Sequence, residues 1–68
     1  MKVKKLMATL MYKPAGVEIY TENMTLITRM DPDVFLVDYA ECKVKKFWLY
    51  TFEDELELIE TTLEVILK

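Results

Sequence analysis

The residues that could do chemistry in this chain are few. It has one cysteine, Cys42, and one glycine, and it contains no histidine, serine or glutamine. A Ser-His-Asp triad or a Cys-His pair therefore cannot form within one chain. A phosphate-binding loop of the Walker or dinucleotide kind lacks its glycines. We predict that the protein is not an enzyme, with no catalytic residue and no cofactor.

Metal binding has one weak candidate. Asp31 and Asp33 flank Pro32, and carboxylate oxygens suit magnesium or calcium. Two aspartates beside a proline are, however, typical of a turn, and nothing completes a calcium loop. A zinc site of the usual kind needs cysteines and histidines that one chain does not have. We predict no metal site and interpret Cys42 as a small buried or turn-adjacent thiol rather than a nucleophile.

The strongest candidate for a binding surface is the segment of residues 42–52, C-K-V-K-K-F-W-L-Y-T-F. On a strand, each face would combine lysines at its start with aromatic or aliphatic residues further along. Such a surface can stack bases and contact phosphates, so a nucleic-acid-binding module is one alternative. Its candidate residues are Lys43, Lys45, Lys46, Phe47 and Trp48. A net charge of −3 and a pI near 4.8 oppose attraction to nucleic acid, and a core strand with solvated lysines is the simpler interpretation.

The last eighteen residues, 51–68, are strongly acidic. They carry six acidic groups and one basic group, whereas residues 1–50 carry eight basic and six acidic groups. Thr51 followed by Asp54 fits a capping box. At about 100° per residue, one third of the helical circle collects the apolar residues; these are Phe52, Leu56, Ile59, Leu63, Ile66 and Leu67. The spacing predicts an amphipathic helix over residues 52–67.

On that helix, four carboxylates would form a stripe beside the apolar face: Glu53, Glu57, Glu60 and Glu64. The simplest interpretation is a solvated face. A second is that the stripe faces lysines elsewhere in the fold or across a dimer. A third is that the carboxylates imitate a phosphate backbone and bind a basic protein surface, as in an acidic inhibitor of a nucleic-acid-binding protein.

Self-association is expected from the composition. Hydrophobic residues make up 53% of the chain, above the usual 45–50% or so. A core of this size rarely supplies more than about 3–5 kcal/mol alone. On the predicted helix, Leu58, Thr62 and Val65 point away from the sheet, and we predict that they form an oligomer interface. An open sheet edge is a further candidate contact surface.

The remaining segments predict strands. Short runs rich in β-branched and aromatic residues are separated by turn residues, and they lie at about 2–12, 17–21, 24–30, 34–40 and 43–50. Residues 31–43 have a helical alternative, because Asp31 could cap a helix that has Pro32 at its first position. We favour a strand there, since Val34, Phe35, Leu36 and Val37 would surround a helix.

These elements predict one α+β domain over residues 1–68. A small antiparallel β-meander of four or five strands would be covered on one face by the C-terminal helix. The expected function is that of a small, non-enzymatic protein-interaction or regulatory module that forms a homo-oligomer, most simply a dimer. No apolar run approaches the eighteen or so residues that span a bilayer, so we expect no membrane partner. One unpaired cysteine agrees with a cytoplasmic location.

Overall fold

The N-terminal segment forms a helix rather than the predicted strand 2–12. In the computed structural model, which describes residues 1–53, 55 and 59–68, helix α1 comprises Val3–Thr9. Val3 and Leu6 are buried, and Met7 and Leu10 pack beside them. This i, i+3, i+4, i+7 spacing is that of one helix face, and the three lysines among the first five residues lie at exposed positions. The helical period was present in the sequence, and the strand prediction was wrong.

A second helix, α2 (Pro32–Tyr39), replaces the predicted strand 34–40. The Asp31 side chain accepts a hydrogen bond of 2.9 Å from the Asp33 N–H, and Pro32 occupies the first turn. This is the N-cap arrangement that the sequence allowed. Phe35 is fully buried, whereas Val34, Leu36 and Val37 are exposed. Apolar residues do surround the helix, but the fold buries only one side of it.

The C-terminal segment forms strands, so the predicted helix 52–67 is wrong. Strand β3 comprises Val44–Glu53, and strand β4 comprises Ile59–Leu67. The residues of β4 are rich in β-branched side chains, which favour strands. Because β4 lies inside the sheet, Leu63 and Val65 are buried on one face, and Thr62 and Ile66 on the other. Burial on both faces removes the alternation that marks a strand.

The predicted antiparallel meander under a C-terminal helix is therefore incorrect. Strands β1 (Gly16–Tyr20) and β2 (Leu26–Met30) form an antiparallel hairpin, as do β3 and β4. The two hairpins join through parallel pairing of β1 with β4. The described residues thus form a mixed four-stranded sheet of order β2-β1-β4-β3 with two short helices. The chain is a small α+β domain.

Both helices cover one face of this sheet. Val3 and Leu6 of α1 and Phe35 of α2 form the core with buried residues of the strands, and these strand residues are Val17, Ile19, Val44, Leu63 and Val65. Residues of β1 and β4 that alternate with them, such as Glu18 and Glu64, point to the opposite face. We call this the open face, because no helix of the described chain covers it. Neither described helix has the length and apolar character needed to cross a bilayer.

Candidate interaction surface

An aromatic cluster lies on the open face where β1, β4 and β3 run side by side. The Trp48 indole Nε1–H donates a hydrogen bond of 2.6 Å to Glu64 Oε2, and the rings of Trp48 and Tyr20 have centroids 6.3 Å apart. Tyr20 donates its hydroxyl to Glu18 Oε1 at 3.2 Å. Partial burial, followed by this hydrogen bond, raises the pKa of Tyr20. The cluster is held in place by its own polar contacts.

The aromatic residues continue along β3 towards the β3–β4 turn. Tyr50 lies opposite Thr62 and Phe52 opposite Glu60, so both belong to the open face. Their rings have centroids 6.0 Å apart. Tyr50 is 55% exposed, and Phe52 is also exposed. An exposed aromatic row therefore extends over the open face at the border of the sheet.

The opposite side of β3 is also apolar and incompletely covered. Phe47 pairs with Val65 and Leu49 with Leu63, so both point to the helix-bearing face, yet both are exposed. A groove of about 510 Å³ separates this part of β3 from the segment that follows α1. Leu10, Tyr12 and Leu49 contribute to its lining. β3 thus presents apolar surface on both faces.

The outer edge of β3 is blocked only at its start. Val44 donates its N–H to the Met1 carbonyl at 2.7 Å, and Val3 donates to the Cys42 carbonyl at 2.9 Å. Lys2 and Lys43 form an isolated bridge between these two segments. From Lys45 to Glu53, no part of the described chain pairs with the outer edge, since β3 is the last strand of the sheet on that side. We call residues 45–53 the free edge.

The ion pairs near this surface join segments that are distant in the sequence. Lys45 Nζ contacts Glu22 Oε1, and this hydrogen bond lowers the pKa of Glu22. Glu41 accepts hydrogen bonds of 2.7 Å from both Lys2 and Lys4, which lower its pKa to about 2. The contact of Lys4 with Glu41 joins α1 to the turn that leads into β3. It therefore holds in place the N-terminal segment that covers the start of the outer edge of β3.

The structure separates the four glutamates of the predicted acidic stripe. Glu60 and Glu64 lie four residues apart on β4, so both point to the open face. Glu53 lies opposite Ile59 and points to the other face. Glu57 lies outside the described residues. Because the helix is not formed, the carboxylates do not make a helical row.

The predicted oligomer interface loses its helical basis as well. Thr62 is only 3% exposed and Val65 is fully buried, and both lie in the central strand β4 of the monomer. Leu58 lies outside the described residues. Exposed apolar side chains occur on several elements, and those of β3 are Phe47, Leu49, Tyr50 and Phe52. The aromatic content of this strand was visible in the sequence of residues 42–52.

The candidate nucleic-acid residues are divided between the two faces. Lys46 and Trp48 lie on the open face, and Phe47 lies on the other. Lys43 belongs to the bridge with Lys2, and Lys45 is paired with Glu22. The open face also carries three carboxylates, those of Glu18, Glu60 and Glu64. The sequence places the lysines next to the aromatic residues and indicates an acidic C-terminal segment, but it does not show that Glu18, Glu60 and Glu64 share the face of Trp48.

Within the described residues, no cluster of three or more cysteine, aspartate or glutamate side chains is placed to hold a metal ion. Cys42 is exposed at the turn between α2 and β3, and Asp31 is the cap of α2. Comparisons with protein-family models, curated proteins and solved structures found no match.

Proposed function

We propose that the chain is a small, non-enzymatic protein-interaction module that works as a homo-oligomer and uses β3 as its contact surface. The observation that carries the proposal is the exposure of four apolar residues on this one edge strand: Phe47, Leu49, Tyr50 and Phe52. Aromatic residues are enriched at protein interfaces, where they bury a large area at a small entropic cost.

Two further features support this surface over others. Tyr50 and Phe52 pack on each other on the open face, which also carries the Tyr20–Trp48 cluster, and Phe47 and Leu49 lie on the other face of the same strand. The exposed apolar residues therefore border one sheet edge on both faces, and such a concentration is typical of an interaction site. A domain of this size also gains stability from a second copy, because its own core is small.

The proposal is tested by two matched leucine substitutions. Leu49 on β3 and Leu26 on β2, the opposite edge strand, are each 49% exposed. We expect sedimentation equilibrium of the wild type to give a mass above 8.1 kDa, the mass of one chain, that falls on dilution. Leu49→Glu should shift the protein to the monomer, and Leu26→Glu should leave the association unchanged. A wild type that is monomeric at every concentration, or equal effects of the two variants, would refute the proposal.

Nucleic-acid binding remains the weaker proposal. Trp48 and Tyr50 could stack bases, but Glu18, Glu60 and Glu64 surround them on the open face and would repel phosphates. Titration of the single tryptophan with a single-stranded oligonucleotide separates the two proposals. We expect no quenching of its fluorescence, whereas quenching that is lost on adding salt would favour nucleic acid.

A further inference from the structure

The position of the free edge restricts how a second copy can bind to it. Residues 1–3 occupy the start of the outer edge, and the free edge runs from Lys45 to Glu53. These nine residues have Leu49 at their midpoint. An unpaired edge of this kind is a template for another strand, because its outward N–H and C=O groups lack partners within the sheet.

Symmetry narrows the possible registers. Two antiparallel edge strands in one sheet are related by a two-fold axis perpendicular to that sheet. Such an axis keeps both helix layers on the same side, so residues that lie opposite each other must come from the same face. Complete overlap of two free edges then places Leu49 opposite Leu49 of the second copy, and Trp48 opposite Tyr50 of that copy.

The charges at the two ends of the free edge favour the same register. The edge begins with Lys45 and Lys46 and ends with Glu53, and residues 47–52 between them are uncharged. In the complete overlap, Glu53 of each copy lies beside Lys45 of the other, which occupies the register irregularity at the start of β3 and also contacts Glu22 of its own chain. Opposite charges across a strand pair stabilise it, and like charges destabilise it. Two independent features, the extent of the edge and its charges, therefore lead to one arrangement.

The other edge of the sheet does not share these features. Strand β2 has only five residues, and Arg29 near its end pairs with Glu18 of the neighbouring strand at 3.3 Å. Short strands and charged side chains are the means by which proteins prevent edge pairing. β3 has no proline, and residues 47–52 of its free edge carry no charge.

We propose that two copies pair through their β3 edges, antiparallel and centred on Leu49, to form one continuous eight-stranded sheet with all helices on one side. This inference rests on the proposed function, because it names the partner and the geometry of the same surface. The open faces of both copies become one surface, on which the aromatic rows adjoin.

Disulfide trapping tests the register. In a Cys42→Ala background, Leu49→Cys places two thiols opposite each other, on Cα atoms about 4.5–5.5 Å apart, and a disulfide spans this distance. We expect mild oxidation to give a covalent dimer. Phe47→Cys and Thr51→Cys in the same background should not cross-link separately, because four residues separate each pair of like positions, about 14 Å. A mixture of these two variants should cross-link.

Charge reversal tests the end pairs. Lys45→Glu and Glu53→Lys each place like charges at both ends of the homodimer, and we expect each to weaken the dimer about tenfold. A heterodimer of the two variants has opposite charges at both ends, so mixing them should restore association. Lys45→Glu also removes the contact with Glu22, but that loss is the same in the mixture and in the separate sample.

The outcomes separate this inference from the proposed function. Cross-linking of Leu49→Cys alone and of the Phe47→Cys and Thr51→Cys mixture, with recovery in the mixed charge variants, supports the register. A protein that sediments as a dimer but does not cross-link through Leu49→Cys overturns the register and leaves the interaction module standing. A wild type that sediments as a monomer at all concentrations overturns both.

Discussion

Phe35 and Val37 provide a direct test of how α2 is oriented. In the helix these two side chains point in nearly opposite directions, because two residues correspond to about 200° of rotation. Phe35 is fully buried and Val37 is 77% exposed. On the strand that the sequence suggested, the two would share one face. If the helix is present, replacing Phe35 and Val37 by alanine should lower the free energy of unfolding by very different amounts. If it is absent, the two losses should be similar.

Replacing Phe35 by alanine should lower the free energy of unfolding strongly. Replacing a buried phenylalanine by alanine typically costs about 3–5 kcal/mol, and the ring also stacks on Tyr39 with centroids 5.7 Å apart. A core of this size supplies about 3–5 kcal/mol in total, so Phe35→Ala should be largely unfolded. Phe35→Leu retains most of the volume and should cost about 1–1.5 kcal/mol, which leaves a folded protein to measure.

Val37→Ala should change the free energy of unfolding by less than about 0.5 kcal/mol. We expect the variant to be slightly more stable than the wild type, because alanine is the better helix former. We expect urea titrations followed by far-UV circular dichroism to give these values. All variants must be compared at one protein concentration, because association adds to apparent stability. If Val37→Ala lowered the free energy of unfolding as much as Phe35→Leu does, the packing of α2 through Phe35 would be refuted.

Two further predictions concern the β1–β2 turn and the tie between α1 and the turn before β3. Met24 has a positive φ of 66° at the last position of the loop between Thr21 and Thr25, where three-residue hairpin loops favour glycine. Met24→Gly should therefore raise the free energy of unfolding by up to about 1 kcal/mol, as measured by urea titration; a loss would contradict this account of the turn. The pKa of Glu41 is lowered from 4.5 to about 2 by Lys2 and Lys4, so its stabilising contribution is present above pH 4.5 and is lost as the pH falls towards 2. Glu41→Gln should flatten the fall in melting temperature over that range, and Asp38→Asn, which removes another exposed carboxylate of the same region, should not; an unchanged slope in Glu41→Gln would contradict the assignment.

The sequence indicated the elements whose signals are local. The predicted strands at 17–21, 24–30 and 43–50 correspond to β1, β2 and the greater part of β3. The cap at Asp31 was also visible, but the apolar residues around α2 outweighed it in the prediction. Helix α2 leaves Val34 and Val37 exposed to solvent, so apolar residues all around a helix do not exclude it when the fold buries only one side.

The C-terminal segment could not be predicted correctly from its own pattern. Ile59, Leu63, Ile66 and Leu67 fall on one face of a helix, but they also suit a strand that is buried on both faces. The choice depends on β1, which pairs with β4 in parallel over residues 16–20 and 62–66. Such a distant partner leaves no trace in the local sequence. The edge position of β3 could not be predicted for the same reason, since it depends on β4 lying inside the sheet.

The central position of β4 has a consequence for how the protein is made. Residues 16–30 are synthesised early, yet their hairpin meets the rest of the sheet only through a strand that leaves the ribosome after residue 58. Until then, β1 and β3 have no common neighbour, and their apolar surfaces stay in contact with water. Pairings between such distant segments form slowly because a long loop must close first. A fragment that ends before Ile59 lacks the strand that joins β1 to β3, and its unpaired strands should be prone to aggregation.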